Sequence, residues 1–269
     1  MTFLRLQNVS HHYFTPTGYT KALENISFTV EKGEFISIIG PSGCGKSTIL
    51  SLIARLMKQT DGDITIDDKP LTATSTEVGY MLQQDYLFPW KSILNNILLG
   101  PKIQNQVTSE TIRQAHKLLN DVHLSHTKDD YPAALSGGMR QRIALVRTLM
   151  TDPELLLFDE PFSALDYVTK LQLENVVAKL MKTYRKTAIL VTHDLAEAIS
   201  MSDRIFLMDA SPGTIRKMFI VPEELREIEP FYVRRHEEYQ PLFDEIWQEL
   251  ADDSTEIREE QKEDEKNNR

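Results

Sequence analysis

One cysteine, Cys44, stands in a chain of 269 residues, so no internal disulfide can form, and that usage suits a reducing compartment. No apolar run approaches the 18 or so residues that cross a bilayer; Phe35-Ile36-Ser37-Ile38-Ile39 and Leu155-Leu156-Leu157-Phe158 are strand-sized. Met1-Thr2-Phe3-Leu4-Arg5 lacks the basic and then apolar pattern of a secretory signal. The expectation is a cytoplasmic chain without a membrane span. Positive charge is also short. The 30 Lys and Arg residues face 40 Asp and Glu, a formal charge of −10, and such a chain does not offer nucleic acid the basic surface that phosphate-backbone affinity requires. Part of the excess is local, since Ala251 to Arg269 holds eight acidic residues against four basic ones and is expected to form a solvated, disordered end. No internal repeat is visible.

What the chain does contain is enough to fold. Hydrophobic residues are 41% and charged residues 26% of the total, near the averages of soluble globular proteins. At roughly 150 residues per domain the length makes one large domain or two small ones. Leu4, Leu6 and Val9, and then Ile26, Phe28 and Val30, alternate as strands do, before Glu31-Lys32-Gly33 turns the chain. Glu34 to Ile39, apolar but for Glu34 and Ser37, reads as a strand covered on both faces. From Lys46 the spacing becomes helical through Ile49, Leu50, Leu52, Ile53, Leu56 and Met57, with a stop expected at Asp61-Gly62-Asp63. Short strands are expected at Ile64–Asp67 and Val78–Leu82. Between about 91 and 150 the pattern is mostly helical, with Ile112, Ala115, Leu118, Leu119 and Val122 on one face and a second helix after Ser136. Strands at Leu155–Phe158, Thr187–Val191 and Arg204–Met208 then alternate with helices at Leu171–Met181 and Leu195–Met201. That alternation builds a mainly parallel sheet, and the fold class is α/β. Beyond Pro222, Leu242, Phe243, Ile246, Trp247 and Leu250 are spaced as one helix with an apolar face.

The chemistry starts at Gly40-Pro41-Ser42-Gly43-Cys44-Gly45-Lys46-Ser47, with Thr48 next. It fits the pattern G-x-x-x-x-G-K-[ST] and sits between a buried strand and an amphipathic helix, the context that gives the pattern its meaning. Glycines let successive amide N–H groups point into one concavity, the helix adds its positive N-terminal end, and Lys46 reaches the β- and γ-phosphates. Ser47 would give its hydroxyl to Mg²⁺. Cys44 occupies an unconstrained position and reads as a small filler. Leu155-Leu156-Leu157-Phe158-Asp159-Glu160 delivers two carboxylates at the C-terminal end of a strand, where open α/β sheets bind ligands. Asp159 would hold the hydration shell of Mg²⁺, and Glu160 would polarise an attacking water.

A phosphate loop alone says only that a nucleotide binds. About 90 residues further on, Leu135-Ser136-Gly137-Gly138-Met139-Arg140-Gln141-Arg142 opens a helix just before the Asp159-Glu160 strand. With these motifs in this order the sequence resembles the ATP-binding subunits of ABC transporters over most of residues 1 to 250, the family's LSGGQ signature appearing as Leu-Ser-Gly-Gly-Met. The resemblance implies a P-loop NTPase core with an N-terminal antiparallel β subdomain and an inserted helical subdomain at about 84–150. It divides the chain into an ATP-binding domain (1–222), a C-terminal helical extension (223–250) and an acidic tail (251–269). In the family, Ser136, Gly137 and Gly138 would bind the γ-phosphate of ATP held by a second copy of the chain. Tyr13 looks like the aromatic that stacks on adenine, with Tyr19 as the alternative. Gln83, with Gln84 beside it, looks like the glutamine that touches Mg²⁺ and water and couples to the membrane subunit. Asp166, in Ser163-Ala164-Leu165-Asp166, resembles the loop that crosses to the partner's site, and His193 resembles the histidine that contacts the γ-phosphate.

The implied reaction is in-line attack of water on the γ-phosphate of ATP, with closure and reopening of the dimer as its mechanical product. Tyr86-Leu87-Phe88-Pro89-Trp90 would pass that motion to an integral membrane permease, or else pack internally. Leu87-Phe88-Pro89-Trp90, Glu160 to Asp166 and Ser211-Pro212-Gly213-Thr214-Ile215 together resemble the nitrate, sulfonate and taurine branch of bacterial importers, which includes transporters of thiamine pyrimidine precursors. Ser163 stands where many members of that branch have glycine, and Met139 replaces the glutamine of the wider family. The expected setting is the cytoplasmic face of the membrane, with an extracytoplasmic solute-binding protein as an indirect partner. The alternative reading is a soluble ABC ATPase acting as a clamp in repair, translation or cofactor assembly. A small-molecule kinase on the same loop would leave Leu135 to Met139 unexplained.

Overall fold

A computed structural model describes residues 2–16, 18–71 and 78–251. The chain opens with two long antiparallel strands, β1 (Thr2–Thr15) and β2 (Gly18–Glu31), that pair along their length. The alternating apolar positions Leu4, Leu6, Val9, Ile26 and Val30 are inaccessible, and Phe3, Ser10 and His11 are buried beside them. After the turn at Gly33 the chain enters β3 (Phe35–Ile39), in which every residue is buried. Helix α1 (Lys46–Ile53) follows the phosphate loop.

This helix is shorter than the apolar spacing implied. It ends at Ile53, with Arg55 in the left-handed region at φ 56°, and the amides of Leu56 and Met57 fold back to the Ser51 carbonyl. Leu56 is consequently exposed. Asp61-Gly62-Asp63 does not turn the chain either: it begins β4 (Asp61–Ile66), which pairs with β1 and with the short β5 (Lys69–Pro70). The first sheet thus has the order β2-β1-β4-β5, all antiparallel.

Next come β6 (Val78–Met81), a helical stretch of α2 (Ile93–Ile97), α3 (Leu99–Ile103), α4 (Ser109–Asp121) and α5 (Gly137–Leu149), and then β7 (Leu155–Asp159). Helix α4 starts at a capping box on Thr108 and buries Ala115, Leu118 and Leu119, while Ile112 in its first turn stays 37% exposed. Alternation continues through α6 (Tyr167–Tyr184), β8 (Thr187–Val191), α7 (Leu195–Met201), β9 (Arg204–Asp209) and β10 (Thr214–Ile220). Helix α6 outruns its apolar spacing because the Asp166 side chain caps it by accepting from the Thr169 amide. The second sheet has the order β10-β9-β3-β8-β7-β6, parallel except for β10.

The period-two geometry of these parallel strands sorts their apolar runs onto two faces. Ile36, Ile38, Leu155, Leu157, Ile189 and Val191 pack with α1 and the first sheet. Phe35, Leu156, Phe158, Ala188 and Leu190 pack with α5 and α6. Each of the Ile, Leu, Val and Phe side chains among them contributes about 1.5–3 kcal/mol by leaving water. This is the physical meaning of strands that read as unbroken apolar runs. A third cluster joins α7 and β9 to α8 (Glu223–Arg226), α9 (Pro230–Val233) and the C-terminal helix α10, residues 239–251. In it Leu242 and Ile246 are buried, whereas Trp247 on the same helix is exposed. The expected disordered end lies outside the described residues beyond Ala251. Among the described residues no helix is long and apolar enough to cross a membrane.

Candidate nucleotide site

The parallel strands β3, β7 and β8 all point their C-terminal ends to one edge of the sheet. There the phosphate loop, Glu160 and His193 enclose a cavity of about 490 Å³, walled by residues 42–48 except Cys44. Gly45 is at φ 96°, and a Cβ there would meet Leu23 at 2.5 Å. Both the left-handed backbone and the lack of space demand glycine. Helix α1 begins at the next residue, so its unpaired N–H groups face the cavity, where an anion gains from them and from the helix dipole.

Lys46 is buried, and its Nζ donates to the Gly40 and Pro41 carbonyls at 2.8 and 2.9 Å. The lysine therefore braces the loop from inside and holds a full charge at the cavity floor. Gly40, Pro41 and Cys44 do not line the cavity. Cys44 is buried beneath it, and that burial pushes its thiol up.

Ser47 Oγ donates to Asp159 Oδ1 at 2.9 Å, joining the start of α1 to the end of β7. Tyr80 on β6 donates to the other oxygen, Oδ2, at 3.0 Å. Burial, and then the Asp159 charge, push the Tyr80 hydroxyl well above the usual tyrosine range, so it stays a donor. Tyr80 escapes a motif search; its only signal is an alternate position on the strand leading to Gln83. Glu160 follows with φ 47°, uncommon for a residue with a Cβ. Its amide bonds to Val191 of β8 at 2.9 Å, and this twist turns its carboxylate into the cavity. His193 Nδ1 lies 3.3 Å from Glu160 Oε1.

The remaining motif residues surround this centre without lining it. Gln83 Nε2 donates to Ser163 Oγ at 3.0 Å, and Ser163 Oγ donates to the Glu160 carbonyl, also at 3.0 Å. Gln83 is also tied to α5, whose Gln141 Nε2 donates to its carbonyl at 2.7 Å. Arg147 donates to the carbonyls of Asp85 and Tyr86, and Arg140 pairs with Asp85 at 2.9 Å. The stretch from Gln83 to Tyr86 is thus latched onto the helix that the signature motif opens. Tyr13 Oη lies 3.2 Å from Thr48 Oγ1, with the His11 ring edge-on at 4.8 Å. Tyr19 instead stacks on His12 at 5.2 Å. Ser136 caps α5 by accepting from the Met139 amide, and Gly138 is pressed so closely on α6 that a Cβ would meet Thr169 at 2.1 Å. None of Ser136, Gly137, Gly138 and Asp166 lines the phosphate cavity of the same chain.

The donors at the Ser47 and Asp159 contact, a hydroxyl and a carboxylate, are hard oxygen ligands of the kind Mg²⁺ prefers. Among the described residues no group of three or more His, Cys, Asp and Glu side chains could hold a metal by itself. A cation that keeps waters and takes phosphate oxygens as further ligands fits such a sparse set.

Residues 23–163 match the family model for the ABC transporter. The chain is 52% identical over 250 residues to an uncharacterized ABC transporter ATP-binding protein, YtlC, of Bacillus subtilis, covering 93% of this chain and 96% of that one. It is 40% identical over 213 residues to the aliphatic sulfonates import ATP-binding protein SsuB of Bacillus anthracis, covering 79% and 84%. Among solved structures it resembles the dimeric post-hydrolysis state of the ATP-binding cassette MJ0796 bound to ADP and Pi, with a TM-score of 0.70, 29% identity, and coverage of 81% and 99%. A phosphate loop, a carboxylate pair and a signature turn on this fold, with relatives of this kind along nearly the whole chain, are one finding: the chain belongs to the ABC transporter family as one of its ATP-hydrolysing, ATP-binding subunits.

Proposed function

We propose that this subunit drives a bacterial importer for a small solute of the aliphatic sulfonate class, taurine included, from the cytoplasmic face of the membrane. A single observation carries the mechanism: the phosphate loop and the signature turn of one chain do not share a cavity. Each chain then supplies a phosphate cradle and, separately, the Ser136-Gly137-Gly138 lid for a second copy, so that two ATP molecules lie between two chains head to tail. The dimeric solved relative supports this arrangement.

In that site Lys46 and the loop amides bind the β- and γ-phosphates, Tyr13 stacks on adenine, and Asp166 reaches across to the partner's site. Ser47, Asp159 and Gln83 would hold Mg²⁺, which when bound supplies positive charge to the phosphate oxygens. Glu160 orients the attacking water and draws on its proton, and His193 steadies the γ-phosphate beside it. Phosphate loss removes the bridge between the lids and lets the dimer open, and the latch from Gln83 through Arg140, Gln141 and Arg147 carries that motion outward.

Leu82, Tyr86 and Trp90 are exposed on that segment, an apolar patch suited to an integral membrane permease. The division into a cassette (1–222) and a C-terminal extension (223–250) belongs to the same proposal. An extracytoplasmic solute-binding protein would deliver the cargo. The sulfonate assignment rests on the name of the SsuB relative and on the branch-like motifs. The test is to assemble the chain with its permease and binding protein in proteoliposomes. Aliphatic sulfonates should stimulate ATP turnover, and turnover indifferent to every sulfonate overturns the cargo assignment.

A further inference from the structure

Behind His193 lies a group of charges that the proposed mechanism leaves unused. Lys170, on the first turn of α6, has a side chain only 14% exposed. Its Nζ donates to Asp194 Oδ2 at 2.6 Å and lies 2.5 Å from Glu197 Oε1. Burial pulls the ammonium down, but its bonds to these two carboxylates more than offset that and leave it above the usual lysine range. Asp194 follows His193 directly and caps α7 by accepting from the Ala196 and Glu197 amides. Buried Glu197 accepts from the Thr192 hydroxyl, and that hydroxyl accepts from the Asp194 amide at 3.0 Å. The residues on both sides of His193 are therefore fastened to the same pair of carboxylates, and Lys170 grips both members.

Lys170 also belongs to the opposite side of the mechanism, because its backbone amide donates to the carbonyl of Asp166 at 2.9 Å. One turn further along the same face of α6, Glu174 could compete for the ammonium. It is instead taken by Arg234, just after α9, which donates to its two oxygens at 3.0 and 2.9 Å. The C-terminal extension thus leaves Lys170 committed to Asp194 and Glu197.

From this geometry we infer that Lys170 is a positioning residue for ATP hydrolysis: it ties the loop that crosses to the partner subunit, through Asp166, to the loop that presents His193 to Glu160. Docking of the partner at Asp166 is felt at the histidine through one residue, its backbone bonded to Asp166 and its side chain to Asp194 and Glu197. This rests on the roles proposed above for Asp166, His193 and Glu160.

The test uses the full-length chain, with ATP affinity measured by calorimetry and turnover measured per ATP-binding site well below the melting temperature. Lys170→Met keeps the apolar stem and removes the grip. Its ATP Kd should stay within about twofold and its kcat should fall about tenfold or more, the scale on which small misplacements act. Lys170→Arg, which retains the charge, should recover part of the loss. Asp194→Asn keeps a good helix cap while losing the charge that holds Lys170; it should show the same split and add little to Lys170→Met in the double variant. Should Lys170→Met fail to fold, Asp194→Asn decides alone. Wild-type kcat in the folded variants overturns the inference, including the case in which only the melting temperature falls. His193→Ala separates the two levels. If it turns over normally, the underlying reading fails; if it is inactive while Lys170→Met and Asp194→Asn are not, only the positioning role fails.

Discussion

Two motif-bearing turns open helices in this chain, the phosphate loop before α1 and the signature turn before α5, and they are built to different degrees. The phosphate loop at the start of α1 shares its cavity with Glu160, from the end of β7, and His193, from just beyond β8, while Asp159 holds Ser47 from outside the lining. The signature turn at the start of α5 has exposed Ser136 at its tip, and Ser136, Gly137 and Gly138 stand outside the cavity that Glu160 and His193 line. Its surroundings are structural, with Gly138 wedged against Thr169 and α5 latched to the 83–86 segment. On the function proposed above, one site holds a nucleotide and the other closes over the one that the second copy holds. In that proposal the asymmetry is what calls for two copies, since neither covers its own γ-phosphate.

The largest effect should come from Glu160→Gln, which keeps the shape of the complete site and removes its basicity. Turnover should fall about 10²- to 10⁴-fold while ATP binding survives and the ATP-bound dimer persists on gel filtration; normal turnover would remove Glu160 from its role. Lys46→Ala strikes the same site at its floor. Loss of charge-assisted bonds worth roughly 1.5–3 kcal/mol should weaken ATP binding about 10- to 100-fold by calorimetry, and unchanged affinity would contradict the cradle. Ser136→Arg strikes the other site. It should leave ATP affinity of the single chain intact, cost about 1 kcal/mol of helix capping, and abolish the ATP-dependent dimer, so a dimer of unaltered stability would show that the two sites do not meet.

The smallest effect concerns the frame behind both sites. Burial pushes the Glu174 carboxyl up to about 7, with Arg234 pulling the other way. A carboxyl raised in the folded state binds its proton more tightly there than in the unfolded chain. Its favourable contribution is present below the ordinary carboxylate range and is lost as pH climbs through about 7. The melting temperature of the wild type should therefore decline relative to Glu174→Gln between pH 5 and 7.5, by a few degrees. Parallel curves would place the titration elsewhere.

Much of this was readable before any fold was known. The phosphate loop is a local device in which glycine, lysine and serine at fixed spacing between a strand and a helix contain their own geometry, and the loop forms as those residues imply. Fully apolar strands announced burial on both faces for the same reason. Legibility failed where a local pattern was outweighed by contacts made elsewhere. The spacing through Met57 does not continue α1, because the chain reverses at Arg55 and sends Met57 toward the Tyr13 hydroxyl. Asp61-Gly62-Asp63 has turn composition, but the pull of β1 draws it into a strand.

The sequence by itself determined which side chains could carry the chemistry, since residue type and short spacing encode donors, acceptors and charge directly. Only the tertiary structure decided which of them meet. That Ser47 reaches Asp159 across 112 positions, that Tyr80 stands behind that aspartate, and that Lys170 joins Asp166 to the far side of His193 all depend on the order in which parallel strands are laid in the sheet. Sheet order is set by long-range packing, and no local run of residues contains it.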